Sequence, residues 1–345
     1  MSIKSLLVIV TYNSENFIEK CLYSVINQSY KDWFLIVIDN ASTDSTISKI
    51  RDFRNTYPGI TTNNFKIKIL KKNIGFAAAV NYAVFDFIEE REKDIEEHLE
   101  FLVLLNPDMY LEKDAVKTII STFNGIDKRE PLPIDRIGAA GGLILDYEKD
   151  LIQHMGGKIN DNFITSHIGS GKRYSDLKKK LKQEEVKSSE PGAIKKIINA
   201  DYVTGAFFAT DFKLFKNIRG FDTGYRPVYF EELDYCLKLK KLGFGIAVNT
   251  CSIARHFEGA SVGKFSRSFY KFYHKNRVRC ALMHLEFIDF FRKFCKAEAN
   301  WLKTEATRDQ FPCILYAYFI NFLFLPYNLV IKLKNHLILN KIKLK

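Results

Sequence analysis

The chain has 345 residues, of which 47% are hydrophobic and 14% aromatic. That is enough apolar material for a full α/β core and excludes global disorder. A net charge of +12 points to an anionic partner, whether nucleic acid, nucleotide phosphate or membrane surface. The six cysteines (Cys21, Cys236, Cys251, Cys280, Cys295 and Cys313) form no CxxC pair. Zinc and dithiol redox centres therefore lack support, and reduced, cytosolic surroundings fit best.

Met1-Ser2-Ile3-Lys4 runs straight into a strand and not into a signal-peptide core, so secretion is not expected. The β-branched apolar run over 5–10 predicts that strand, buried on both faces. Residues 11–14 turn into a helix with Ser14 as N-cap and an apolar stripe of Phe17, Ile18, Cys21, Leu22, Val25 and Ile26. A second strand over 33–38 ends at Asp39-Asn40-Ala41-Ser42, and a helix follows over 44–53. A third strand covers 66–70, and Asn73-Ile74-Gly75-Phe76 opens a helix running to about residue 90. The apolar run 101–105 is a fourth strand, followed by Asn106-Pro107-Asp108 and a helix over 112–123. This alternation predicts βαβ units and a mostly parallel sheet, with Asn13, Asp39, Asn73 and Asp108 gathered on one rim. Open α/β sheets bind ligands at that rim.

Residues 146–200 are polar, contain the basic run 178–182, and read as a long, partly mobile excursion that folds over a site. An apolar run over 197–210, a turn at Gly220-Phe221-Asp222, a helix over 231–242 and a strand over 244–248 lead to Arg255-His256. Beyond about 265 the sequence is helical, basic and aromatic. Its stretch 311–331 approaches membrane-span length but contains Pro312, Asn321 and Pro326. Lys332, Lys334, Lys341, Lys343 and Lys345 come after it. The pattern suits a span, a segment lying among anionic headgroups, or packing on the domain.

Several polar groups carry candidate chemistry, each beside a plainer reading. Asp108 could hold a hard cation shared with phosphates, or could simply form a turn. Asp39 could accept from a ribose hydroxyl or a base, or cap a turn. Asn13 and Asn73 suit caps and turns equally well. Glu231 and Glu232, at a helix N-terminus favoured by the dipole, cannot share a face, so one of them is expected to point into a cavity as a general base. His256 could donate or ligate, with Gly259 and Gly263 permitting close backbone approach, or could be structural. Lys275-Asn276-Arg277 reads as a solvated helix face. No GxxxxGKS loop, GxGxxG fingerprint, zinc-finger spacing or RNA-binding aromatic signature occurs, so no nucleic-acid partner is expected.

Taken together, the motifs from Leu6 to Arg279 resemble family 2 glycosyltransferases of the GT-A fold, in particular the rhamnosyltransferase-like branch. Val8-Ile9-Val10-Thr11-Tyr12-Asn13-Ser14-Glu15 is similar to the opening motif, which implies nucleotide contacts from Thr11, Tyr12, Asn13 and Glu15. Asp39-Asn40-Ala41-Ser42-Thr43-Asp44 resembles DNxSxD and implies Asp39 at the nucleoside. Asn73-Ile74-Gly75-Phe76-Ala77 with Asn81 resembles NxGxAxGxN, with Ala79 in place of a glycine. Asn106-Pro107-Asp108 is similar to the branch's DxD variant. Asn106 then lies at the nucleotide and Asp108 alone of the pair binds metal. Gly220-Phe221-Asp222 and Glu231-Glu232-Leu233-Asp234 resemble GGFDE and EDxD, with Arg219 replacing the first glycine and Glu232 standing where the family carries its catalytic Asp. His256 resembles the late histidine that completes metal coordination.

The basic, aromatic composition of 265–345 makes that stretch a helical region expected to associate with a membrane. The resemblance implies an α/β GT-A domain over 1–264. The activity it implies is inverting transfer, of hexosyl or rhamnosyl type. The donor would be a UDP- or dTDP-sugar and the acceptor a hydroxyl of a glycan, lipid-linked or part of a surface polysaccharide. Mg²⁺ or Mn²⁺ would be the cofactor and the cytoplasmic membrane face the location. The alternatives are a sugar-1-phosphate nucleotidyltransferase, whose Gly-rich basic signature is missing from 11–28, and a non-catalytic glycan- or membrane-binding protein on a decayed transferase fold.

Overall fold

The computed structural model describes residues 3–57, 60, 64–88, 93–123, 136–187, 197–257 and 266–344. Four strands form one half of the sheet: β1 (Ser5–Thr11), β2 (Trp33–Asp39), β3 (Phe65–Ile69) and β4 (Phe101–Leu105). They lie in the order β3-β2-β1-β4, all parallel, with Thr11 opposite Asp39 and Asp39 opposite Ile69. Their near-continuous apolar runs have a simple cause, since the sheet is covered on both faces. Leu6, Val8, Ile36 and Leu104 enter one core, and Leu7, Ile9, Leu35 and Leu105 enter the other. Helices α1 (Ile18–Ile26), α2 (Thr46–Thr56) and α3 (Phe76–Asn81) connect these strands.

The sheet then continues through β5 (Met109–Leu111), helix α4 (Ala115–Ser121) and β6 (Ile137–Asp146). Strand β6 is absent from the sequence reading. Its Ile-Gly-Ala-Ala-Gly-Gly start lacks the bulky residues that announce a strand. The small residues make room: a Cβ on Gly142 would stand 2.6 Å from the Phe207 ring, and one on Gly141 would stand 2.9 Å from Val203.

The expected loose excursion is corrected by ordered structure. It contains β7 (Ile152–His154), the hairpin β8 (Gly157–Ile159) and β9 (Thr165–His167), and helix α5 (Tyr174–Lys187). The apolar run 197–210 is not one strand. It divides into β10 (Ile197–Asn199) and β11 (Phe207–Asp211), the latter antiparallel between β4 and β6. Helices α6 (Phe212–Asn217) and α7 (Glu231–Lys241) precede β12 (Gly245–His256), which is longer than expected because a bulge between Asn249 and Ile253 carries it to His256. Along the main path β10-β12-β6-β11-β4-β1-β2-β3, only β10 and β11 oppose the other strands. Helix α1 begins after a turn at 15–17, so the carbonyl of Ser14, and not its hydroxyl, receives the first amides.

Of the C-terminal helices α8 (Arg267–His284), α9 (Lys296–Thr304), α10 (Phe311–Leu323) and α11 (Leu325–Lys343), α8, α10 and α11 contribute Val278, Cys280, Ala281, Ala317 and Leu339 to the first of the two cores. Lys275-Asn276-Arg277 is not a solvated face, because Asn276 and Arg277 are fully buried. The Arg277 guanidinium grips both oxygens of Glu298 at 2.7 and 2.5 Å and donates to the carbonyl of Asn162 at 2.6 Å. Tyr318 donates to the same glutamate at 2.5 Å. A lysine would be a poor substitute in such a two-pronged buried pair.

Candidate active site

The parallel register brings the loops after β1, β2 and β3 side by side. Asn13, held at φ 50°, accepts at Oδ1 from the Thr43 amide at 2.8 Å, and its own amide donates to Ser42 Oγ at 2.9 Å. Buried Asp39 receives the Ser42 amide at 2.9 Å and the Ser42 hydroxyl at 2.5 Å. Glu15 accepts from the Ser45 amide at 3.0 Å, and Asp44 accepts from the Glu15 amide at 3.2 Å. Asn40 accepts from Ile74 and Asn73 from the Gly75 amide, which fixes the entry to α3. Gly75 needs its freedom: it sits at φ 85° with the Pro227 carbonyl 2.9 Å from where a Cβ would be. The turn readings of Asn13, Asp39 and Asn73 are thus met in the structure. Tyr12 remains 47% exposed beside this frame, and Thr11 Oγ1 is buried without a protein partner.

Across the rim, Asp108 and His256 meet. Met109 and His256 pair between β5 and β12, which sets Asp108 Oδ2 3.2 Å from His256 Nε2. The Gln153 amide nitrogen faces the His256 carbonyl and Asp146, so its Oε1 turns to His256 Nδ1 at 2.9 Å. That ring nitrogen then carries the proton and Nε2 presents a lone pair toward Asp108. Asp108 Oδ1 is buried with no protein partner. An imidazole lone pair facing a carboxylate with one orphaned oxygen is a donor set that a divalent cation fits. Among the described residues, no group of three or more His, Cys, Asp or Glu side chains converges. A cation held by these two side chains alone would need phosphate oxygens and water for its other positions. Asn106 lies one turn away, its amide bonded to the Ala206 carbonyl at 2.9 Å. Gly259 and Gly263 lie outside the described residues.

The third element is the start of α7. Tyr229 and Phe230 take left-handed conformations at φ 80° and 77°, and swing Glu231 and Glu232 into the helix. Glu231 is buried, whereas Glu232 keeps some exposure beside Gly205. Both carboxyls have one buried oxygen without a hydrogen-bond partner. Burial pushes the pKa of each above the usual carboxylate range, and the neighbouring Glu232 charge adds to the rise at Glu231. Asp234 of the same motif behaves oppositely. Lys238 and His284, each 2.7 Å away, hold it well below the usual range despite its complete burial. It accepts as well from Tyr225 at 3.1 Å, and Asp222 bonds Arg279 at 2.9 Å. Asp222 and Asp234 therefore brace α7 against α8.

A cavity of about 740 Å³ opens beside His256, walled by the β8–β9 hairpin and by α8 and α9. The sequence reading missed it, because its lining comes from the polar excursion and from helices read as membrane-associated. The only hint was the cluster of Tyr270, Tyr273 and Trp301 on helices otherwise rich in lysine.

Residues 6–128 match the profile of glycosyl transferase family 2. This stretch belongs to that family. Proteins similar to this chain include a Methanococcus voltae dolichyl N-acetyl-α-D-glucosaminyl phosphate 3-β-D-2,3-diacetamido-2,3-dideoxy-β-D-glucuronosyltransferase, 24% identical over 262 residues, covering 75% of this chain and 68% of the relative. The Bacillus subtilis minor teichoic acid biosynthesis protein GgaA is 33% identical over 120 residues, 34% of this chain but only 24% of its own length. Among solved structures, GalNAc-T7 with UDP, GalNAc and Mn²⁺ matches with TM-score 0.56 at 15% identity, over 81% of this chain and 47% of that one. The Pyrobaculum calidifontis mannosyltransferase PcManGT with GDP-Man and Mn²⁺ matches with TM-score 0.51 at 16% identity, over 92% and 74%. At these identities the structures establish the fold, which is the GT-A α/β fold.

Proposed function

We propose that the protein is an inverting glycosyltransferase that moves a hexosyl or rhamnosyl group from a nucleotide-diphosphate sugar, UDP- or dTDP-linked, to a hydroxyl of a glycan. One observation carries this reading: His256, which lines the cavity, stands 3.2 Å from Asp108 with its orphaned oxygen, while Glu232, its proton affinity raised by burial, lies beside Gly205 between the cavity-lining Thr204 and Ala206. The forms Asn106-Pro107-Asp108 and Glu231-Glu232-Leu233-Asp234 support the rhamnosyltransferase-like branch.

Thr11, Tyr12, Asn13, Glu15, Asp39, Asn73 and Asn106 frame the nucleotide side. Asp108 and His256 would hold Mn²⁺ or Mg²⁺, which when bound would supply charge neutralisation to the departing diphosphate. The mixed oxygen and nitrogen donor set favours Mn²⁺, since Mg²⁺ keeps to oxygen ligands. Glu232 takes the acceptor hydroxyl proton while that oxygen bonds to the anomeric carbon and the carbon–phosphate-oxygen bond breaks on the opposite face. One displacement of this kind inverts the centre. Glu231, buried behind it, keeps α7 in place. A donor panel with Mn²⁺ and simple glycoside acceptors tests the reading. An inverted product supports it, whereas retention, or no turnover of any donor, rejects it.

The location we propose is the cytoplasmic face of a membrane, with a lipid-linked or surface-polysaccharide acceptor. Among the described residues no single helix is long and apolar enough to cross a bilayer, although the pair Arg308–Leu323 and Leu325–Lys343, bent by 70°, passes together by length and composition. Exposed large apolar side chains concentrate on these helices: Leu315, Phe319, Phe322, Val330, Leu333 and Leu337 are each more than 60% exposed. Lys332, Lys334, Lys341 and Lys343 are interspersed with them, the composition of a segment lying among anionic headgroups. Replacing Phe319, Phe322 and Leu333 by Ser should abolish sedimentation with anionic liposomes and leave thermal stability unchanged. Undiminished sedimentation rejects the surface.

A further inference from the structure

The cavity beside His256 is lined mostly by neutral groups, and two of its three charged Asp, Glu or Lys side chains are acids: Asp146 and Glu305 against Lys149. Its floor is aromatic: Tyr270 lies parallel to His274 with ring centres 6.0 Å apart, and Trp301 lies 5.6 Å from the same imidazole. Its opposite wall is the β7–β9 segment, where His154 packs edge-on against His167 at 4.6 Å. His154 is 2% exposed, lines the cavity, and neither of its ring nitrogens has a partner in the protein. Burial lowers its pKa, so it is neutral and offers one donor and one acceptor. Two buried polar atoms left unpartnered are costly in a stable core, which makes this wall a ligand surface and not mere packing. Of the charged lining residues, Lys149 and Glu305 are exposed and Asp146 is half-buried. At the far end stands Gln310, immediately before the exposed apolar stripe of α10.

We infer that this cavity is the acceptor site and that it selects an uncharged hexopyranose, with His154 hydrogen-bonding its hydroxyls and Tyr270 and Trp301 stacking on its ring. The assignment rests on the transferase reading above only in the word acceptor. The sugar chemistry comes from the wall alone. Axial C–H groups of a pyranose suit an aromatic face, and the neutral His154 imidazole suits hydroxyls in both hydrogen-bonding directions. A carboxylate on the ring would meet two acids of the lining, Asp146 and Glu305, against the single exposed Lys149. The position of Gln310 lets a lipid or alkyl aglycone leave the mouth along the apolar stripe of α10.

The test uses the full-length protein at pH 8 with octyl β-D-glucoside and octyl β-D-glucuronide below their micellar concentrations. The chain has two tryptophans. Trp33 begins β2 at the opposite edge, about 20 Å from the rim, so it is an internal reference and Trp301 is the reporter. The glucoside should change Trp301 emission saturably without nucleotide or metal, and the glucuronide should bind at least tenfold more weakly. Tyr270→Ala and His154→Phe should each weaken glucoside binding at least tenfold, and Tyr270→Phe should restore it. Should His154→Phe fail to fold, the Tyr270 pair decides. In turnover, Tyr270→Ala should raise acceptor KM and leave donor KM unchanged. Equal binding of the two glycosides, no saturable change with the glucoside, or a rise in donor KM alone overturns the assignment. Saturable binding with no transfer from any nucleotide sugar would reject the transferase reading and still support the cavity as a sugar site.

Discussion

The loops after β1 to β3 and the groups around Asp108, His154 and Glu232 share one rim, yet they treat their polar atoms in opposite ways. On the first side Asn13, Glu15, Asp39, Asn40, Asp44 and Asn73 are each bonded to a neighbouring backbone amide. On the second side Asp108, His154, Glu231 and Glu232 have buried oxygens or nitrogens with no protein partner. Buried polar groups are normally satisfied, so the difference marks where the protein has finished its own structure and where it waits for something else. Thr11 Oγ1 apart, the first side is a rigid, self-bonded frame, and the second is where the proposed reaction moves charge and protons.

The sharpest way to break that contrast is Asp108→Ala. If the orphaned carboxylate holds the cation, transfer should fall about 10⁴-fold, the rate equivalent of several kcal/mol. Loss of nucleotide-diphosphate affinity in Mn²⁺, measured by calorimetry, should accompany it. Unchanged activity in EDTA would place Asp108 with the frame.

Glu232→Gln should lower kcat by about 10² to 10⁴ with donor KM unchanged. Its raised proton affinity also sets a pH profile. The wild-type rate should rise with pH as this carboxyl ionises, along a limb lying above the usual carboxylate range, and the limb should vanish in the variant. If Glu231→Gln removes the limb instead, the two glutamates exchange roles.

Asp234→Asn probes a group on the same motif that is fully paired. Removing one partner of a buried ion cluster should cost about 3 to 5 kcal/mol, read as a lowered midpoint of chemical denaturation. The sign of its pH dependence is fixed by its depressed pKa. The stabilisation is present above the unfolded carboxylate range and lost as pH falls through and below it, and the variant should lack that acid-side loss. The smallest effect belongs to the frame: Ser42→Ala removes a hydroxyl from Asp39 and should cost about 1 kcal/mol of stability. Donor KM should rise only a few-fold and kcat should hold. A collapse of kcat in Ser42→Ala would erase the distinction between the two sides.

The frame was legible in the sequence because continuous apolar strands make it so. Once 5–10, 33–38, 66–70 and 101–105 read as parallel strands, Asn13, Asp39, Asn73 and Asp108 had to fall on one rim, and the register confirms it. The meeting of Asp108 with His256, far apart in the chain, came from resemblance and not from pattern, since no local periodicity links β5 to β12. Strand β6 was hidden by glycines chosen for their lack of volume beside Phe207 and Val203. Arg277 was hidden for the converse reason: a basic residue among lysines reads as solvent-facing until Glu298, distant in sequence, is seen to close on it. The cavity needs three such long-range closures at once, so no window of sequence could announce it.

The bonds from Asp222 to Arg279 and from Asp234 to His284 join the helix bearing the glutamates to the helical layer behind it. Arg279 reaches on to Asn328 in α11, which stacks two polar contacts from motif to C-terminal helix. Modular exchange is constrained accordingly. A chimera that borrows another relative's C-terminal helices to change acceptor preference must import Asp222 and Asp234 counterparts with them, because a junction drawn between β12 and α8 separates each acid from its base. A junction just upstream of Asp222 keeps those pairs together but still parts Asn162 from Arg277 and Glu298, and Thr165 from Tyr273, so the hairpin that packs on the helices must travel with them.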